Sequence, residues 1–121
     1  MSREWSFTLP WTKPPLTENQ RMHWAQKSRL VKQVRREAFN LSRSIPPLDR
    51  CEIRLVWVVA DRRRRDEDNL VPTLKALCDG LVDGDVVPDD TSEFMAKWMP
   101  IIRYEKGATP RLELTIREVS S

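Results

Sequence analysis

A small α+β (α/β-like) domain, one mixed β-sheet of about four strands with two main helices packed on it, is the fold this chain predicts. Three observations carry that expectation. Short apolar runs at residues 5–9, 51–60 and 111–119 alternate with the period of a strand. Two longer segments repeat their apolar residues at helical spacing. The 121 residues, 40 % of them apolar and five of them tryptophan, suit one domain and can fill one core. A single domain over residues 1–121 is therefore expected, with no internal repeat and no low-complexity linker.

Trp5, Phe7 and Leu9 point to one side of a short first strand. A proline-rich turn follows from Pro10 to Leu16, and a helix is expected from about Arg21 to Ser44. Trp24, Val31, Val34, Ala38 and Leu41 share its apolar side, while Arg29, Lys32, Arg36 and Arg43 line the opposite one as a basic stripe. Pro46-Pro47 ends it. Residues 51–60 (CEIRLVWVVA) predict a central strand, with Val56 and Val58 making its distal half apolar on both sides, as a covered strand would be. The second helix turns Leu70, Leu74, Leu77, Cys78 and Leu81 inward, with Asp68 or Asn69 as a candidate N-cap. Pro72 belongs in the first turn, and Asp83-Gly84 closes the helix. After a loop at Val86 to Asp90, strands near 95–104 and 111–119 finish the chain, joined by a turn around Lys106-Gly107. The order β-α-β-α-β-β suits one sheet with helices on it.

Charge divides the chain sharply. Residues 1–65 hold 15 Lys/Arg against 6 Asp/Glu, a balance of +9, and residues 66–121 hold 6 against 12, a balance of −6. Nine of the eighteen acids fall between Asp66 and Glu93, directly after the four arginines Arg62, Arg63, Arg64 and Arg65. A polyanion should be drawn to the first part and repelled by the second. Carboxylates that held divalent cations would remove the conflict, because the metal would then meet the phosphate.

Other classes are disfavoured. No stretch reaches the ~18 apolar residues of a membrane span, and the N-terminus lacks a signal-peptide core. Cys51 and Cys78, set in apolar runs, are expected to be buried free thiols in a reducing cytoplasm. With His23 as the lone histidine they are too few for a zinc site, and a histidine-based hydrolase would depend on that residue alone. No Walker loop, GxGxxG or CxxC occurs.

Asp66 and Asp68, two apart, could grip one cation from an extended segment, with a third carboxylate from Asp89-Asp90. Equally, acidic residues and Asn before a helix could simply cap it. The arginine run and the stripe on the first helix could track phosphates, or form solvated surface. Lys75 could pair with Asp79 at i,i+4, or bind phosphate near the metal. Trp11 and Trp24 flank the proline turn, where packing is favoured over substrate contact.

Four segments together, PPLTENQRMHW at 14–24, RRRRDEDN at 62–69, LKALCDGL at 74–81 and VVPDD at 86–90, resemble the RusA family of Holliday-junction resolvases. The resemblance runs from about residue 5 to 118, nearly the whole chain. It implies a RusA-like homodimeric endonuclease that nicks four-way DNA junctions symmetrically in recombination and repair. Its cofactor would be magnesium, with manganese as a substitute. Asp66 and Asp68 match the family's paired metal-binding aspartates, and Asp90, with Asp89 beside it, matches the third. Lys75 resembles the family's essential lysine, although it follows Asn69 by six residues rather than three. Asn19 matches the early asparagine. A cytoplasmic, nucleoid-associated enzyme would follow, and so small a resolvase would suit a phage. Two other readings of the same residues are a non-catalytic DNA-binding module and a nuclease acting on forks or flaps.

Overall fold

The computed structural model describes residues 2–120. Along the chain come β1 (Glu4–Thr8), α1 (Trp24–Leu41), β2 (Cys51–Val59), α2 (Val71–Asp83), β3 (Met95–Lys97), β4 (Ile101–Tyr104) and β5 (Arg111–Glu118). This is an α+β fold with one mixed sheet. β5 lies between β1 and β2 and is antiparallel to both, while β3 and β4 join the other edge of β2 in parallel. β1 and β2 are therefore parallel to each other, and each helix is the return limb of a β-α-β crossover. Both helices start at the end of the sheet where β2 finishes. That shared origin sets up the candidate site.

The period-2 pattern works as expected on one face of the sheet. Ile53 pairs with Ile116 and Leu55 with Leu114, and Phe7 extends the second pair across β5. These strand residues form the core with Val34 and Ala38 of α1 and Leu77 and Leu81 of α2. Both Cys51 and Cys78 are buried in it as free thiols.

Three features depart from expectation, and a fourth, the covered distal half of β2, is met by an unexpected cover. The strand expected near 95–104 is split into β3 and β4, because Pro100 has no N–H to give a ladder. The Trp98 N–H still donates to the Ile53 carbonyl at 3.1 Å and the Glu105 N–H to that of Val59 at 3.0 Å, so both pieces follow one edge. Val56 and Val58 are buried, yet neither belongs to the helix-packed core. Their cross-strand neighbours Glu113 and Arg111 share their face and tie into ion pairs with Arg103 and Glu105, so the stems of charged residues supply the cover.

The cap expected from Asp68 or Asn69 is not formed. A short 3₁₀ turn, Glu67–Leu70, precedes α2, whose N-cap is Leu70, and no side chain caps either element. Trp24, expected on the core side of α1, is 76 % exposed. Ala38 faces Gly80 and Ser42 faces Gly84, which brings the head of α2 level with Arg29. Trp24 overhangs that head by more than a turn, and its ring meets only the neighbouring His23 ring, at 5.5 Å, among the aromatic contacts of the described residues.

Candidate functional site

The proline-rich segment is laid over the end of the sheet by four hydrogen bonds from residues distant in sequence. The Trp57 indole N–H donates to the Thr12 carbonyl at 3.0 Å. The buried Thr73 hydroxyl accepts from the Leu16 N–H at 3.1 Å and donates to the Leu16 carbonyl at 2.7 Å. The Asn19 amide donates to the Asn69 side-chain oxygen at 3.2 Å. Between this segment and the chain leaving β2 lies a cleft of about 260 Å³, lined among others by Lys13, Asn19, Trp57, Arg64, Asp66 and Asn69. The early Asn is thus brought face to face with Asp66 and with Asn69, 50 residues away in sequence, whereas Asp68 lies outside the cleft lining.

The four arginines are not equivalent. Arg62 stacks over the Tyr104 ring at 4.6 Å, and Arg63 lies 3.7 Å from Asp61. Arg65 turns back onto its own loop, 2.8 Å from the Asp61 carboxylate and 5.0 Å from the centre of the Trp57 ring. Arg64 lines the cleft with no carboxylate partner among the described residues. Arg29, Lys32 and Arg36 on α1, and Arg43 in the 3₁₀ turn Ser42–Ser44 that follows it, are exposed, and no carboxylate pairs with them among the described residues. Arg35 instead crosses to Asp83 on α2 at 2.8 Å.

Against so many cations, the carboxylates of Asp66 and Asp68 are exposed and make no ion pair or hydrogen bond among the described residues. Glu67 between them is likewise exposed and unpaired among the described residues, whereas Asp61 takes Arg65, Asp79 takes Lys75 at 3.7 Å, and Asp83 takes Arg35. Only Asp66 keeps the extended backbone expected of both, because Asp68 lies in the 3₁₀ turn, where residues two apart do not share a side. A hard divalent cation often takes only one or two protein carboxylates and completes its shell with water and phosphate.

Asp90 is placed differently. Lys97 donates to it at 3.1 Å, and the Asp90 N–H donates to the Asp89 carboxylate at 2.7 Å. The Lys97 hydrogen bond holds the Asp90 carboxyl below the usual carboxylate range, with the charge of Lys75 adding to the effect. Lys75 and Lys97 flank the same groove beside Trp98 and Pro100. Within the single chain, Asp90 does not join Asp66 and Asp68, and no three His, Cys, Asp or Glu side chains gather around one point among the described residues. Lys97 carries no sequence signal, because its partner is set by the β3 register. His23 caps α1, its Nδ1 accepting from the Ala25 N–H at 3.2 Å. No helix among the described residues is long and apolar enough to cross a membrane.

No family model matches the chain. A protein of Xylella fastidiosa (strain Temecula1 / ATCC 700964), described as an uncharacterized protein, is 32 % identical over 122 residues, covering 95 % of this chain and 77 % of that protein.

Proposed function

We propose, from the residues at the cleft, that this chain, which belongs to the same family as that Xylella fastidiosa protein, is a magnesium-dependent, structure-selective DNA endonuclease that resolves four-way junctions by paired nicks. One observation carries the reading: Asp66 and Asp68 stay unpaired beside four arginines. Capping, the ordinary reason for acids before a helix, does not account for them, since neither side chain caps. Asp66 and Asp68 would hold the ion. When bound, it would supply Lewis-acid polarisation of a phosphate and a water of lowered pKa.

The remaining work falls to the protein's own side chains. Arg64 and Lys13 would hold the scissile phosphate at the cleft, where arginine's planar fork suits a phosphate and its developing charge. The Asn19–Asn69 bond would keep the two walls at a constant separation. Both helices start at this end, so their N-terminal dipoles favour an anion there. The free stripe of Arg29, Lys32, Arg36 and Arg43 would follow the backbone of a flanking duplex arm independently of sequence. Two copies about a twofold axis would match the near-twofold symmetry of a junction. Lys75, paired with Asp79, would act from the neighbouring groove, which Lys97 shares while holding Asp90 outside it.

The test is a gel assay of labelled four-way, three-way and linear DNA with Mg²⁺, Ca²⁺ or EDTA. Paired nicks in opposing strands of the four-way junction, seen with Mg²⁺ alone, are expected. Asp68→Asn should lower cleavage by at least roughly 10²-fold while retaining junction binding, because it loses a metal ligand and a charge that repels DNA. Unimpaired cutting by that variant would end the reading. A non-catalytic DNA-binding module is favoured by one observation, the commitment of Asp90 to Lys97. That module would bind equally in Mg²⁺ and EDTA and never nick. Preferential cutting of the three-way substrate would point to forks or flaps.

A further inference from the structure

Asp61 sits where a carboxylate should do harm, at the head of four arginines on the surface meant for phosphate. Its contacts supply a reason. One oxygen accepts the Arg63 N–H at 3.0 Å, and the carboxylate pairs with Arg65 at 2.8 Å. Arg65 in turn donates to the carbonyls of Asp61 and Arg63 at 3.3 and 3.2 Å and lies over the Trp57 ring. Trp57 holds the opposite wall through the Thr12 carbonyl. A continuous chain therefore runs from the arginine loop, through β2, to the proline-rich segment. Arg65 is the least exposed member of the pairs in this loop, its side chain 17 % exposed.

We propose that Asp61 is a positioning residue: it locks Arg65 onto its own loop and onto Trp57, so that Arg64 and Asp66 face Asn19 across the cleft. Arg65 also lines the cleft, yet Asp61 and the two loop carbonyls occupy its guanidinium, which leaves Arg64 as the cleft arginine free for a phosphate. The consequence for cleavage rests on the nuclease reading, whereas the consequence for the free protein does not. The charge-only account makes the opposite prediction. If Asp61 were merely an acid on a DNA-binding surface, removing it would tighten binding and speed cutting.

The experiment compares Asp61→Ala, Asp61→Asn, Arg65→Ala, Arg65→Lys and Arg64→Ala in three measurements. These are amide exchange of residues 61–66 without DNA, the salt dependence of junction binding, and single-turnover cleavage in Mg²⁺. In Asp61→Ala, exchange at the Arg63 amide should rise by at least about tenfold. Cleavage should fall by roughly 10–100-fold, the scale of a small misplacement, without loss of affinity. Asp61→Asn, which keeps an oxygen for the Arg63 amide, should fall between this variant and the parent. Arg65→Ala should leave the salt slope unchanged, whereas Arg64→Ala should lower it by about one. Arg65→Lys should not rescue, since an ammonium lacks the fork that reaches two carbonyls and a carboxylate. Unchanged exchange in Asp61→Ala, faster cleavage in it, or a reduced slope in Arg65→Ala would each overturn the proposal. Should the parent protein neither bind nor cut DNA, the nuclease reading fails, and the exchange measurement alone still decides whether Asp61 holds the loop.

Discussion

Thr73 is a single hydroxyl on which the cleft depends. It is fully buried and occupies both polar groups of the Leu16 backbone, fixing the proline-rich segment to α2. Thr73→Val keeps the shape and leaves a buried N–H and C=O without partners. It should lower stability by about 1–3 kcal/mol in urea unfolding. Burial drives the thiols of Cys51 and Cys78 up to about 11 and about 12, so both are inert near neutral pH. The sequence made Asp66, Asp68 and the arginine run visible by their crowding. It could not reveal that Asp66 and Asp68 are unpaired while Asp61 and Asp90 are taken. Pairing at Asp90 is decided by Lys97 across a turn and a strand. Asn19 was legible as a motif residue, and only the fold supplied Asn69 as its partner.

Helix α1 meets α2 through a close approach at Gly80. A methyl added there would overlap the Arg35 carbonyl oxygen and stand 2.7 Å from the Ala38 side chain. Gly80→Ala, a favourable change by helix propensity alone, should therefore destabilise by about 1–3 kcal/mol and lower the thermal midpoint. Gly84 closes α2 for a related reason, since Ser42 packs against it, while the left-handed backbone falls on Asp85 at φ 62°. The helices and the central strand were readable because their apolar periods are long and Pro72 and Pro46 punctuate them. The break at Pro100 and the exposure of Trp24 were not, since both depend on which neighbour lies alongside.

At the scale of the whole molecule, the helices cover one face of the sheet, and the other carries a lattice of Arg and Glu. Hydrogen bonds from Arg111 hold the Glu113 carboxyl below the usual range, and Arg3 does the same for Glu118. A depressed folded pKa contributes stability that is fully present above the ordinary glutamate value of about 4.3 and is lost as the pH falls through the folded value. The urea midpoint should therefore hold level from pH 7 to 5 and decline below about pH 4, with 1 M salt shrinking the decline. A level midpoint down to pH 3 would contradict this.

The pairing of β1 with β5 also brings residues 3 and 118 together. Arg3 and Glu118 meet at 2.8 Å, beside the start of β2 and a full strand length from the cleft. A tether joined near residue 3 or residue 118 would hang from the rear of the molecule, leaving the mouth of the cleft clear.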